Sequence, residues 1–450
     1  TVRQAVTLRL QGAPAEVQGQ AHSAHSQASR VEAVEERAPV LVLEDAPNRP
    51  LPRIGLGLAS HGQPLTPQAV DRLKWLRPAH LRADLWLGEP EMAATLRRAA
   101  EEAQALETAL ELALFLPEDV NRPAEPALRE LAGLVEALQA PVWAWLVFNR
   151  RTRTSDETSV ALARRILGLL LPEARFGGGA DLFFTELNRY CATSGAAPAG
   201  LDFLCYSINP QVHAFDNSSL VETLVAQAAT VESALALSGG LPVAVTPVTL
   251  RMRANPNATG PEPPPPPGEL PPQVDPRQMS LFGAGWTLGS LKYLSLSGVY
   301  SLTYYETTGW RGVMETEAGS PLPTKFPSLP GAVFPLYHVL ADVAEFAGGE
   351  ATGATSNQPL VVDGFSLHHG ERRRTLVANL SPEPQTVVVR NLSAAQAEMV
   401  QVVVLDEDNM LEAMTEPEGF RTRPPQGLPL QNGVLRLPLK PYAVARIDAG

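Results

Sequence analysis

Two glutamates stand where a hydrolase would need them. Glu186 follows the apolar run Leu182-Phe183-Phe184, and Glu306 follows Thr303-Tyr304-Tyr305. Hydrolysis calls for one group that takes a proton from water or attacks directly, and one that gives a proton to the leaving oxygen. Two carboxylates in different surroundings divide those roles. A carboxyl separation of about 5 Å permits a covalent route, and roughly 6.5–9.5 Å leaves room for a water molecule. Each glutamate also has an arginine near it in sequence, Arg189 and Arg311, so a structural ion pair is the alternative for each.

Other polar residues follow the apolar runs. Ser60-His61-Gly62 closes the first, Arg82 and Asp84 lie in the second, and Asn149-Arg150 ends the fourth. Asn188 and Arg189 come just after Glu186, and Asn209, Gln211 and His213 follow the sixth. Amide and imidazole groups of this kind suit hydroxyls or an acyl oxygen, and Trp86, Tyr305 and Trp310 suit the faces of a sugar ring. No HExxH or HxH motif appears, so neither metal nor cofactor is expected, although His61, Asp84, Glu186 and His213 could converge on one axis. Ser60 and Ser207 lie in no GxSxG elbow. Gly177-Gly178-Gly179 lacks the Lys-Ser/Thr of a phosphate loop and reads as a tight strand turn.

The elements that must position these groups are eight apolar strand-like runs, at 53–59, 80–87, 109–116, 142–148, 174–186, 201–209, 242–250 and 298–306. Amphipathic helical stretches at 67–77, 90–106, 125–138, 157–171, 218–238 and 277–296 separate them. Eight βα units without a Gly-rich dinucleotide turn fit a (β/α)8 TIM barrel better than an open doubly wound sheet. In such a barrel the active site gathers at the C-terminal ends of the strands, and strands 5 and 8, three apart, can set Glu186 and Glu306 facing each other. The Pro-rich loop 252–276, with Asn255, Asn257 and Glu262, falls on that same face, where stiffness would let it wall the pocket. Past residue 350 short alternating strands take over, which predicts a β-sandwich appendage. The segments at Val2 to Leu10 and Pro39 to Leu43 read as strands able to pair with it. The expected organisation is a β-rich segment over 1–50, a catalytic barrel over 51–350 and a sandwich over 351–450.

A formal net charge of −12 argues against nucleic acid as a partner, since phosphate-backbone binding rests on clustered Lys and Arg. The one short basic run, Arg372-Arg373-Arg374, reads as a solvated strand end. No stretch of eighteen uncharged apolar residues appears, so no membrane partner is expected. Two cysteines make no disulfide framework, which points to a cytoplasmic protein; the polar and aromatic residues after the apolar runs suit a small sugar-derived molecule.

Four segments are more specific: FGGGADLFFTELNR at 176–189, SINPQVHAFDNSSLVETLVAQ at 207–227, the stretch from Thr246 to Leu294, and YYETTGWRGV at 304–313. In these the chain resembles the D-apionate lactonase family. The resemblance implies a glycosidase-like barrel that opens a sugar lactone to its acid. It carries no catalytic assignment, so Glu186 and Glu306 stay inferences from position. The alternatives are a glycoside hydrolase using the same pair and a carbohydrate-binding barrel without catalysis.

Overall fold

The computed structural model describes residues 38–45, 48–117, 123–255, 264–392 and 398–449. The segment from Val2 to Leu10, Asn257 and Glu262 lie outside the described residues. Two short strands, β1 (Val40–Leu43) and β2 (Arg49–Pro50), lead into eight parallel ones: β3 (Arg53–Gly57), β4 (His80–Trp86), β5 (Ala109–Leu116), β6 (Val142–Asn149), β7 (Arg175–Phe183), β8 (Phe203–Ile208), β9 (Val243–Val248) and β10 (Ser301–Thr308). β10 pairs in parallel with both β9 and β3, which closes the ring into a barrel. Strands such as Ala109-Leu110-Glu111-Leu112-Ala113-Leu114-Phe115-Leu116 are apolar almost throughout because both faces are covered.

Helices cross back over the outside: α1 (Pro67–Lys74), α2 (Met92–Ala105), α3 (Ala124–Leu138), α4 (Glu157–Leu170), α5 (Phe184–Ser194), α6 (Asn217–Glu222), α7 (Leu224–Leu237), α8 (Leu281–Leu296) and α9 (Pro335–Ala344). The side-chain period of two divides each strand between two environments. On β4, Leu81, Ala83 and Leu85 join the apolar layer under the helices, while His80 and Arg82 meet polar partners from other strands in the lumen and Asp84 pairs with Arg82 and Arg253.

Three glycines, Gly177 to Gly179, lie within β7 rather than in a turn. Neighbouring strands have taken their side-chain space. A Cβ on Gly177 would fall 2.3 Å from the Phe203 ring, and Gly179, at φ +133°, faces the Cys205 carbonyl. β7 stops at Phe183 and α5 begins at Phe184, so Glu186 lies in a helix and not at a strand end.

After β11 (Gly312–Met314), which lies beside β10, the appendage is built from β12 (Glu350–Thr352), β13 (Ala354–Ser356), β14 (Val362–His369), β15 (Arg372–Asn379), β16 (Gln385–Arg390), β17 (Met399–Leu405), β18 (Gln426–Pro429), β19 (Leu435–Leu439) and β20 (Val444–Ala449). One sheet has the order β13-β1-β16-β19 and the other β18-β17-β20-β15-β14-β12-β2. Their facing side chains, among them Leu41, Val377, Val389, Leu437 and Ile447, form the sandwich core. β1, from before the barrel, runs antiparallel to β13 and parallel to β16.

Barrel and sandwich share an interface. α8 is buried at every position from Leu281 to Leu296 except Tyr293 and Leu296, as befits a helix covered on all sides. Its Lys292 pairs with Asp363 and donates to the Ala354 carbonyl. Arg374, expected to be solvated, is instead buried, bound to Asp448 at 2.7 Å and to Glu345 at 2.7 Å. Arg421 reaches Asp342 and Glu345 as well.

His338 lies in that joint and donates from Nε2 to the Ala413 carbonyl at 2.9 Å. Burial, reinforced by Arg421, lowers its pKa to about 4. The unfolded chain takes up this proton near pH 6.5 and the folded chain only near 4. Stability from this residue is therefore complete above pH 6.5 and falls by about 3 kcal/mol as pH drops to 4. Urea unfolding between pH 6.5 and 5 should show a shallower decline for His338→Phe than for the wild type; equal slopes would contradict the assignment.

Candidate active site

The lumen holds a ladder of charges beside an apolar cluster that includes Phe115, Leu146, Phe148 and Phe203. At its base His80 Nε2 and Thr303 Oγ1 lie 2.7 Å apart, and Thr246 Oγ1 donates to the fully buried Glu111 at 2.5 Å. Above them the Arg82 guanidinium binds Asp84 Oδ1 at 3.0 Å, Asp181 Oδ1 and the Thr246 carbonyl. Burial works against that charge, but Asp84, Asp181 and Glu111 together raise the Arg82 pKa above its ordinary value. Asp181 is enclosed on all sides and also receives Arg153 at 2.9 Å and Arg253 at 3.0 Å. Asp84 takes Arg253 too; against the cost of burial, Arg253 and Arg82 hold its carboxyl at about 2. Asp84 is therefore an anion across the working pH range and no proton donor.

The ladder opens into a cavity of about 380 Å³ at the C-terminal mouth of the barrel. Its wall carries Arg82, Arg98, Arg153, Arg251, Arg253 and Arg311 against Asp84, Asp275 and Glu306. With Asp181 beneath, six guanidinium groups stand against four carboxylates, and Arg277 behind the wall binds Asp275 at 2.7 Å. Arg98 has a further partner in Glu102 at 3.2 Å, but burial pushes that carboxyl up to about 7, so it is only partly charged near neutrality. In a chain of net charge −12, this mouth is strongly positive.

Glu306 is carried into this wall by β10. Its Oε2 accepts from the Ser60 amide and the Ser60 hydroxyl, both at 2.9 Å, and its Oε1 lies 2.6 Å from Arg311. The residue before it, Tyr305, has φ +48°, and the pairing of β10 with β3 shifts register between Tyr304 and Glu306. This bulge turns Glu306 toward the cavity and sends the Tyr305 ring into the core, where its hydroxyl meets Thr287 at 2.7 Å. Gly57 opposite leaves room for the bulge, since a Cβ there would sit 2.7 Å from the Tyr305 carbonyl oxygen.

The expected site residues divide accordingly. Arg82, Asp84, Tyr305, Glu306 and Trp310 reach the mouth cavity, Tyr305 with its hydroxyl engaged elsewhere. His61 lines an adjoining hollow that shares Ser60, Glu306 and Trp310 with the mouth. Gln211 is buried behind the wall, donating to Asp275 at 2.6 Å and to the Leu250 carbonyl at 2.7 Å, so it positions rather than contacts. Glu186, Asn188, Asn209 and His213 are not among the residues lining either cavity. Glu186 is in the first turn of α5, ion-paired with Arg189 at 2.6 Å, and Asn188 and His213 are exposed. The structure does not bring the expected glutamate pair together, because β7 ends three residues before Glu186 and delivers Asp181 to the lumen instead.

Sequence reading missed Arg98, Arg153, Arg253, Asp181 and Asp275. A signal existed for some of them: Asn149-Arg150-Arg151-Thr152-Arg153 and Thr249-Leu250-Arg251-Met252-Arg253 put basic residues just after two strands of an acidic chain. Among the described residues no group of three or more His, Cys, Asp or Glu side chains is placed to hold a metal ion. The described part of the Pro-rich loop does contribute to the wall, through Pro271, Gln273 and Asp275.

A family model for the D-apionate lactonase TIM barrel domain matches residues 54–348, and one for the C-terminal immunoglobulin-like domain of D-apionate lactonase matches 359–447. A curated D-apionate lactonase from Brucella anthropi is 30% identical over 220 residues, 48% of this chain and 34% of that protein, so the matched region spans about a third of the relative. Among solved structures, a family 51 α-L-arabinofuranosidase from Bifidobacterium longum aligns with TM-score 0.62 and 13% identity over 91% of this chain and 99% of that one. A family 51 α-L-arabinofuranosidase from Thermotoga petrophila gives 0.62 and 11% over 92% and 100%. A family 30 endoxylanase from Clostridium papyrosolvens gives 0.56 and 12% over 92% and 100%. At these identities the likeness to the glycosidases is one of fold.

Proposed function

Because the chain belongs to the D-apionate lactonase family, we propose that it hydrolyses a sugar lactone, D-apionolactone to D-apionate, using Glu306 and the arginines of the barrel mouth. The observation that carries the reading is the sign of the cavity: six guanidinium groups around four carboxylates. Attack of water on a lactone builds negative charge on the acyl oxygen and ends in a carboxylate, and fixed cations stabilise both. Glycoside hydrolysis runs through an oxocarbenium-like, positively charged transition state flanked by two carboxyl groups. The same arginines oppose that charge. Asp84, held at about 2, has no proton to give a glycosidic oxygen.

In the proposed reaction Glu306 takes a proton from water as the water oxygen bonds to the acyl carbon. The acyl C=O becomes a tetrahedral oxyanion held by guanidinium N–H groups of Arg251 and Arg253. Collapse breaks the bond from the acyl carbon to the ring oxygen, and the proton on Glu306 passes to that oxygen, which leaves as a hydroxyl. One carboxylate thus serves as base and then acid, and no second glutamate is needed.

The test is acid release from D-apionolactone, followed by pH-stat, beside aryl alcohol release from a panel of p-nitrophenyl glycosides. Acid release alone is the expected result. Aryl release alone would move the activity to glycoside hydrolysis, and silence on both would leave a carbohydrate-binding barrel.

A further inference from the structure

The mouth cavity does not stop at Glu306. A second hollow of about 460 Å³ adjoins it and shares Ser60, Gln273, Glu306, Trp310 and Arg311. The two lobes differ in charge. The first holds the arginines. In the second, apart from the shared Glu306–Arg311 pair, the one carboxylate is Glu315, which is buried and accepts from the Thr316 amide at 2.8 Å and from the Ser328 hydroxyl. The imidazole of His61 is neutral there: Nδ1 accepts from the Gln63 amide at 3.0 Å, which leaves the proton on Nε2 for Thr308 Oγ1 at 2.9 Å. Burial first, then Arg98, lowers its pKa.

What remains on the wall is apolar and hydroxylic: Pro271, Val274, Ala318 and Pro321, beside Thr316 and Ser320. Trp310 forms the boundary. Its Nε1 donates to Ser320 Oγ at 2.8 Å and the Phe326 ring packs against it at 6.3 Å between centroids, which fixes the indole while it still lines both hollows. An aromatic face with hydroxyl and amide groups around it matches a neutral sugar ring, apolar on one face and hydroxylated at its rim. A five-carbon lactone bound by the arginines would leave this lobe unused.

We propose that the second lobe is a subsite for a neutral sugar ring, so that the preferred ligand is a sugar acid, or its lactone, bearing a glycosyl substituent. The acid end lies among the arginines and the glycosyl ring lies against Trp310. The assignment of the acid end rests on the lactonase reading; the glycosyl end rests on the second lobe alone.

Isothermal titration of the whole chain with lactobionate, gluconate and lactose tests this. Lactobionate, an acid carrying a sugar ring, should bind at least about tenfold more tightly than either gluconate or lactose, a gap of about 1.4 kcal/mol. Ala318→Phe, at an exposed position of the second lobe, should remove that advantage and leave gluconate binding unchanged. Trp310→Ala should also cut lactobionate more than gluconate. Equal binding of lactobionate and gluconate by the wild type, no measurable lactobionate binding, or an equal loss of both in Ala318→Phe would overturn the subsite. The two readings fail separately. Lactobionate preference without acid release from D-apionolactone keeps the subsite and removes the lactonase, and acid release without the preference does the reverse.

Discussion

Glu306→Gln is expected to lower kcat on D-apionolactone by about 10²- to 10⁴-fold, and Glu186→Gln to leave it unchanged. The amide keeps the size of the carboxylate and can still accept from the Ser60 amide and hydroxyl, so the bulge at Tyr305 and the cavity should stay as they are. What disappears is the ability to take a proton from water and return it to the ring oxygen, together with the ion pair from Oε1 to Arg311. Stability should fall by no more than about 1 kcal/mol, since Arg311 is partly exposed, and KM should change less than kcat, because the catalytic loss falls on the transition state. Glu186 has its own partner in Arg189 on the outer helix α5, and its replacement removes an ion pair of small energetic weight. Steady-state kinetics of the two variants side by side decides the matter. A full loss in Glu186→Gln with activity retained in Glu306→Gln would reverse the assignment made from the cavity.

Arg82→Met should both unfold the protein more easily and inactivate it. The guanidinium sits at the centre of the ladder, joining Asp84, Asp181 and Thr246 from three strands. Breaking a buried ion pair from one side leaves an uncompensated charge and costs about 3–5 kcal/mol. Asp181, enclosed on all sides, would keep only Arg153 and Arg253, and these would be drawn inward from the mouth where the oxyanion must form. Urea denaturation at pH 7 should show the midpoint falling for Arg82→Met while Glu306→Gln stays near the wild type. If both variants unfold alike, the ladder does not hold the barrel together as its geometry implies.

The barrel was legible because each strand is an apolar run bounded by polar exits, and both features come from burial on two faces. The end of β7 was not. The run Leu182-Phe183-Phe184 continues without a break into α5, and the helix starts at Phe184 with no side-chain cap to announce it. The spacing of Phe184, Leu187 and Cys191 suits a helix face, but it is too short to outweigh an apolar run read as strand. That shift moved Glu186 out of the lumen and hid Asp181. Glu306 was legible because it lies on β10 two residues before the strand's end at Thr308. The arginine cluster was not, since Arg82, Arg153 and Arg253 are far apart in the chain and only closure of the ring gathers them about one aspartate. Arg374 shows the same limit: an exposed-looking basic run acquires a buried member once a neighbouring strand of its own sheet and a helix are laid beside it.

The sandwich recruits β1 from before the barrel, and this orders the birth of the molecule. The Val40 amide donates to Asn357 Oδ1, a partner 317 residues further along. At a synthesis rate of about 5–20 residues per second, β1 waits roughly 15 to 60 s on the ribosome for its neighbours to emerge. The barrel strands meet their own partners one by one during that interval, whereas Leu41 and Leu43 stay wet until the last quarter of the chain appears. Ribosome-bound chains should therefore offer this short apolar edge to chaperones until β13 emerges, about 2–9 s after β10 completes the barrel.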